Sequence, residues 1–370
     1  MRLALIYHQF ARRGGLENYL LAFADALAAR GHSLTLFGAE FGPEAESLAQ
    51  RGAVIERARL TPVSKALRMV QFARAASGFA ADFARGGGRA LGFGRTVVQD
   101  AHRAGGGCHA IYSRLLPWHK RWRLKNRIEL DLERQLYTGG GTGRFVVNAA
   151  PVGDQLQAEY GVDPAKIEVI HTAVDSDAFH PPAGEAERAD LRSQLVPGTR
   201  GDRPAFVFAS LDHARKGLGN LLAIWDRVDA ELWVAGKPPS SAWRRAADRQ
   251  GVRDKVIWLG RADLAPLFRA ADFFIHPTLY DACANTALQA MASALPSLIS
   301  VRCGSHEFVR PGETGWLLDD PGSPEAILAA VRSALAAGEP ARASLGAAAR
   351  RQMLPLTWDA HVGRWEAMLG

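Results

Sequence analysis

Cysteine, long apolar runs and acid are the things this chain of 370 residues has little of. Its three cysteines, Cys108, Cys283 and Cys303, are an odd number at no metal-ligand spacing. A disulfide framework and a zinc site are both expected to fail on that count, and a reducing compartment is expected. No apolar stretch approaches the ~18–20 residues that span a bilayer. The opening LALIY after Met1-Arg2 is too short for the core of a secretion signal and runs directly into polar sequence. The expectation is a cytoplasmic protein. Acidic residues, 38 against 45 Lys and Arg, leave a formal charge of +7, and where that excess sits matters more than its size. With 48% hydrophobic and 22% charged residues, disorder and fibrous repeats are excluded. The length suggests two domains.

The pattern along the chain is strand, glycine turn, helix, strand. LALIY is followed by the polar HQFARRGG, then by LENYLLAFADALAARG with apolar residues at helical spacing and Gly31 as a stop. SLTLF is the next strand. Residues 59–90 read as helix with a break at Gly86-Gly87-Gly88, TVV at 96–98 as a strand end, and Gln99–Gly107 as a loop. FVVN, a helix through DQLQAEYG and the strand IEVIH follow. Pro, Gly and charge concentrate from Pro181 to Pro204, which reads as a linker with a short helix. Alternation then restarts at AFVFAS and continues through ELWVAG, VIWLG, FFIHP and PSLIS. Such alternation argues for parallel sheets with helices on both faces. The expected division is 1–180 and 181–356, with a last helix at about 357–370 packing back on the first domain.

Four segments carry candidate chemistry, each with a plainer reading beside it. Gly14-Gly15, between a strand and a helix, would let a ligand phosphate approach backbone at a helix N-terminus, or is simply a tight turn. Arg215-Lys216-Gly217 follows the strand AFVFAS and would point into the crevice where open α/β sheets bind ligands, or is a solvated charge pair. In HPTLYDACANTALQAMASALPSLIS, Asp281 precedes a helix whose first amides, at Ala284, Asn285 and Thr286, suit a diphosphate. The plain alternative makes Asp281 an N-cap and Gln289 an exposed helix residue. In DAHRAGGGCHAIYSR, His109 follows three glycines on a loop between domains and is either catalytic or structural.

Taken together these segments resemble the family 4 retaining glycosyltransferases of GT-B fold, and within them the lipopolysaccharide-core glucosyltransferases. The likeness is carried in order by GGLENYLLAFADALAARGHSLTLF, FVVNAAPVGDQLQAEYGVDPAKIEVIHTAVDSDAFHP, ARKG, YDACANTALQAMASALPSLIS and CGSHEFVRPGETGWLL. It implies an α/β chain of two Rossmann-like doubly wound domains facing across a cleft, the N-terminal one on the acceptor side and the C-terminal one binding a nucleotide sugar, UDP-sugar favoured. It implies hexosyl transfer without metal or other cofactor, in keeping with an expected lack of an Asp-x-Asp motif, with Arg215 and Lys216 neutralising the diphosphate as the glycosidic bond breaks. Asp281 and His109 would serve the sugar. Gly14, Gly15, Ala284, Asn285, Thr286 and Gln289 would hold the donor, and no protein nucleophile is assigned. Where the family has two glutamates eight positions apart, this chain has Asp281 and Gln289. Gln289 keeps an acceptor oxygen but lacks the charge that would grip ribose hydroxyls. That departure keeps a second reading open, a catalytically weakened scaffold that binds sugar or nucleotide.

The excess charge concentrates in RLLPWHKRWRLKNR, residues 114–127, with six Lys and Arg and no acid. On one helical projection Leu115, Trp118 and Trp122 form a stripe, Lys120, Arg123 and Arg127 lie opposite, and Arg121 and Lys125 flank it. That is the composition of a helix lying on anionic lipid, and Trp118, Lys120, Arg121, Trp122, Arg123 and Lys125 are its expected contacts. The expected setting is the inner face of the plasma membrane, with an envelope glycolipid as acceptor. The plainer reading buries both tryptophans in the N-terminal core. Nucleic acid is not expected, since no recognition motif accompanies the charge.

Overall fold

The computed structural model describes residues 1–201 and 203–370. Contacts divide the chain into two compact units, Met1–Thr172 with Trp358–Gly370, and Ala173–Thr357. The division falls at Thr172 rather than at 180 because residues 174–179 are tied to the later chain. Val174 N–H donates to the Leu356 carbonyl at 2.7 Å, and Arg350 donates to the carbonyls of Phe179 (2.8 Å) and Ser176 (3.3 Å).

The first unit is built on a seven-stranded parallel sheet. From one edge its strands are Val54–Arg57, Ser33–Gly38, Arg2–Ile6, Arg89–Gly92, Gln99–Arg103, Thr142–Val147 and Ile167–Val169. The chain starts in the third of these, works outward to one edge, then crosses back and works to the other, which is a doubly wound order. Leu3, Leu5, Leu34 and Leu36 are buried because helices cover both faces, so these strands read as apolar runs. Gln99–Arg103 is different. TVV at 96–98 lies outside any strand, and the polar QDAHR, expected as loop, is a strand near the sheet's middle. Three of its polar side chains find partners, while His102 Nδ1 and Arg103 Nε are buried without one. Gln99 bonds to Thr142 Oγ1 at 3.1 Å, Asp100 accepts from Ala90 N–H at 2.7 Å, and Arg103 donates to Thr172 Oγ1 at 2.8 Å.

Helix Trp358–Leu369 closes the first unit by burying Val362 and Trp365 among Leu20, Phe23 and Phe93. His361 pins it. Its Nε2 accepts from the Tyr19 hydroxyl (2.8 Å) and the Trp365 indole N–H (3.2 Å), while Nδ1–H donates to the His171 carbonyl (2.7 Å). Only a neutral imidazole fits those partners. Burial, helped by the Arg103 charge, pushes its pKa down to about 3. An unfolded histidine titrates near ~6.5, so between these values the unfolded chain binds more protons. Stability is therefore full above ~6.5 and is lost as pH falls toward 3, at up to about 1.4 kcal/mol per pH unit from this residue. Urea unfolding at pH 7 and pH 5 should show that loss in the wild type and a smaller one in His361→Gln. Identical pH dependence in both would remove His361 as its source.

The second unit holds a six-stranded parallel sheet, ordered Val256–Gly260, Glu231–Gly236, Ala205–Ser210, Phe273–His276, Ser297–Ser300 and Trp316–Leu318. Phe206, Phe208, Leu232, Val234, Phe273 and Trp225 pack its core. Numbered in their own chain order these strands run 3-2-1-4-5-6. The direction of winding reverses between Ala205–Ser210 and Phe273–His276, and open sheets bind ligands beyond the carboxyl ends of such a pair.

Candidate active site

The two loops that leave this switch point are stitched together. Residues 211–217 follow the first strand and 277–284 the second. Leu279 N–H donates to the Arg215 carbonyl (2.9 Å), and the Arg215 guanidinium donates to the Tyr280 carbonyl (3.0 Å) and to Asp212 Oδ2 (3.2 Å). Gly217 lets the loops approach. Its φ is +85°, and a Cβ there would stand 2.1 Å from the Pro277 carbonyl oxygen. Only glycine meets both demands.

That stitching delivers Lys216 onto Asp281. The ammonium makes an ion pair with Oδ2 and lies 3.5 Å from His276 Nε2, which is itself 3.3 Å from the same carboxylate oxygen. Asp281 is thus no N-cap. Ala284 holds that position without a side-chain bond, because Asp281 is drawn away to Lys216 and its backbone is clamped to the next loop. Its N–H donates to the Arg302 carbonyl and its carbonyl accepts from Gly304 N–H, both at 3.0 Å. Burial and the neighbouring Arg215 lower the Lys216 pKa to about 7. Burial, with Lys216 and Arg215 beside it, holds His276 well below the usual histidine range, so its ring is neutral. The result is a cationic pair at a sheet's switch point, with one cation buried. Such a pair suits an oxyanion better than it suits water, because low-dielectric surroundings strengthen the attraction.

Helix Asn285–Ala292 follows, with its N-terminus near this cluster in sequence and Ala284 as its cap residue. Asn285, Thr286 and Gln289 are partly buried, so Gln289 is not a fully exposed helix position, while Ala287 and Leu288 face the core.

In the first unit, Gly14 caps helix Gly15–Ala29 in an extended conformation with no side-chain bond. The backbone there asks nothing that only glycine can do. An acid, Glu17, occupies the helix's first turn and accepts from the Tyr7 hydroxyl at 3.1 Å. The segment carrying His109 is not a loop between domains. It belongs wholly to the first unit, and His109 begins helix His109–Arg114. Its Nε2 lies 2.8 Å from Asn126 Oδ1 and 3.2 Å from Glu129. Beneath it is a residue that sequence reasoning missed. The Glu133 carboxylate, 0% exposed, accepts from the His109 and Ala110 amides (2.9 and 3.0 Å), from the Tyr160 hydroxyl (2.7 Å) and from Arg95 (2.9 Å). Burial beside this carboxylate pushes the Cys108 thiol up to about 12. His276 and Cys303 were also missed, since nothing in their local sequence marks them. An Asp-x-Asp triplet, expected to be missing, does stand at 175–177. Asp175 Oδ1 folds back to accept from the Asp177 and Ala178 amides at 3.1 and 2.9 Å.

The basic stretch is not one helix. Helices His109–Arg114, Trp118–Arg121 and Leu124–Thr138 divide it, because Pro117 cannot continue the first and Arg123 is extended. Nor do its tryptophans enter the core. Trp118 and Trp122 are 76% and 72% exposed, with Leu115 and Leu124 also open. Lys120, Arg121, Arg123 and Lys125 surround them, and all four are exposed.

Residues 13–178 match the family model for Glycosyltransferase Family 4 and residues 203–337 that for Glycosyl transferases group 1. Among curated proteins, a D-inositol 3-phosphate glycosyltransferase of Mycobacterium bovis is 31% identical over 185 residues, 47% of this chain and 37% of that protein. The match therefore spans little more than a third of the relative's length. Among solved structures, WaaG, a glycosyltransferase involved in lipopolysaccharide biosynthesis, superposes with a TM-score of 0.82 at 19% identity, covering 97% of this chain and 98% of its own. Anabaena HepE, solved with UDP and glucose, gives 0.75 at 15%, covering 100% and 99%.

Proposed function

The chain belongs to the family 4 glycosyltransferases of GT-B type, and from that premise we propose that it moves a hexose from a nucleotide sugar to an envelope glycolipid or lipopolysaccharide-core acceptor, with retention of configuration. The observation that carries the proposal is the Arg215–Lys216 pair joined to Asp281 at the switch point of the second sheet. Arg215 and Lys216 take the diphosphate oxygens, whose negative charge grows as the glycosidic bond breaks. Asp281 accepts from a sugar hydroxyl once Lys216 has turned to the phosphates. Ala284, Asn285 and Thr286 present the helix N-terminus to the donor, and Gln289 takes the ribose. In the first unit, Gly14 and Gly15 bring backbone close to the ligand and His109 serves the sugar or its acceptor. UDP-sugar is the favoured donor, and solved relatives of this fold hold UDP and UDP-glucose.

Donor hydrolysis and transfer, measured across UDP-, GDP- and ADP-sugars in the presence of EDTA, test this. Turnover of one donor class that survives the chelator supports a metal-independent transferase. Nucleotide binding with no turnover of any donor would favour the scaffold reading, which Gln289 motivates.

Gln289→Glu should tighten binding of the cognate nucleoside diphosphate about fivefold. A carboxylate accepting from two ribose hydroxyls makes charge-assisted bonds that an amide cannot. Desolvating the new charge near phosphate returns part of that gain, leaving ~1 kcal/mol. Calorimetry showing equal or weaker binding would mean that the pocket is shaped around glutamine.

We further propose that the exposed tryptophans and their cations seat the protein on the anionic inner leaflet. Large apolar side chains open to water are costly unless a surface covers them, and cations beside them select anionic lipid. Sedimentation with vesicles containing phosphatidylglycerol should fall about tenfold in the Trp118→Ala, Trp122→Ala double variant. Undiminished binding would place the membrane contact elsewhere.

A further inference from the structure

The cluster around Lys216 contains more chemistry than a diphosphate grip needs. The ligating atoms of His276, Asp281 and Cys303 all lie within 4.8 Å of one another, and among the described residues this is the one group of three or more His, Cys, Asp or Glu placed so. His276 and Cys303 are buried, while Asp281 forms the accessible side. The backbone holds the set rigidly. Asp281 and Cys303 are paired by an isolated parallel bridge, and His276 ends a central strand of the sheet. What stands against the group in the structure is already a cation, the Lys216 ammonium.

We propose that His276, Asp281 and Cys303 bind one soft divalent cation, zinc being the type, in exchange for the Lys216 ammonium. One imidazole nitrogen, one carboxylate oxygen and one thiolate are a donor set that zinc prefers, and three protein ligands leave its fourth position open. Bonds of about 2.0–2.3 Å to a tetrahedral ion put ligand atoms roughly 3.3–3.7 Å apart, so the widest separation closes by roughly 1–1.5 Å at most. The exchange conserves charge. At present one ammonium offsets one carboxylate. With zinc bound, two positive charges offset the carboxylate and a new thiolate. Cys303 releases its proton to solvent, and the ammonium swings out to water. Resting on the transferase reading, the consequence is inhibition, because the metal occupies Asp281, which otherwise accepts from a hydroxyl of the donor sugar.

Titration of the full-length protein with zinc chloride, and separately with cobalt(II) as a spectroscopic probe, tests the proposal. The expected result is one ion per chain, with a near-ultraviolet thiolate-to-cobalt charge-transfer band. Cys303→Ser should lose that band and bind zinc at least tenfold more weakly, and Cys108→Ser should behave as wild type. His276→Gln provides a second variant should Cys303→Ser fold poorly, and it should weaken zinc binding to the same degree. Absence of stoichiometric binding, or a band and affinity that survive in Cys303→Ser, would overturn the site. Lys216→Met, with no ammonium to displace, should bind zinc at least tenfold more tightly than the wild type, and unchanged or weaker binding would overturn the exchange with Lys216. The metal arm needs no turnover. Zinc bound through Cys303 in a protein that transfers no sugar supports the site and counts only against the transferase reading.

Discussion

Replacing Lys216 with methionine is expected to lower turnover by about 10²–10³-fold while KM for the donor changes far less. Methionine keeps most of the stem and removes the charge, so the loss reports electrostatics rather than packing. A buried ammonium helps most when charge develops on the leaving phosphate, and removal of one such group from a closed site typically costs ~2–4 kcal/mol of transition-state stabilisation. The geometry adds a reason for choosing this residue first. Lys216 is buried against Asp281 and His276, whereas Arg215 is partly exposed and also bonds to Asp212 and to the Tyr280 carbonyl. Arg215→Ala therefore removes a phosphate ligand and loosens the stitched loops together, and KM should rise along with the fall in kcat. Lys216→Arg should not rescue, because a planar guanidinium does not fit where a compact ammonium sits against Asp281. Steady-state kinetics on both variants, with thermal melts to establish folding, decide the matter. Unchanged kcat in Lys216→Met and Arg215→Ala would remove the pair from the chemistry.

How much of this could be read before the structure depends on which residues are asked. Strands such as AFVFAS and ELWVAG were legible because both faces of a parallel sheet are covered, and such strands become continuous apolar runs. QDAHR was not. It lies near the middle of a sheet with polar side chains, and the partners that make this tolerable, Thr142 and Thr172, are far along the chain. Local pattern cannot show a side chain satisfied at that distance. The same limit applies at the site. Lys216 could be nominated from its position after a strand, but His276 is 60 residues away and meets it only because the sheet reverses its winding between their strands. Cys303 arrives through a third strand–loop junction. The basic stretch shows a different failure. A helical projection assumes one helix, and Pro117 had already excluded it, yet the exposure of Trp118 and Trp122 follows from chain breaks that no periodicity contains.

Glu133→Ala should cost about 3–5 kcal/mol of stability. The carboxylate is fully buried and is the shared acceptor of a charged group, a phenol and two helix-terminal amides. Removing it leaves the Arg95 guanidinium without its counter-charge in a largely buried place, and breaking such a pair from one side is among the most destabilising single changes known. It also strips the first turn of helix His109–Arg114 of the acceptor for two amides, a loss of the same kind as deleting an N-cap. Glu133→Gln separates the two contributions. The amide still accepts through one oxygen, so the helix start should be partly held, but the charge offsetting Arg95 is gone. Its cost should fall between wild type and alanine. Chemical denaturation of all three proteins measures this, and a loss under ~1 kcal/mol for alanine would show that water replaces the carboxylate without penalty. Because His109 is positioned by these same bonds, the glutamine variant also bears on function. If His109 serves the sugar, Glu133→Gln should lower kcat in a protein that remains folded at the assay temperature. Full activity there would mean that the hub supports the fold and that His109 stands apart from the chemistry.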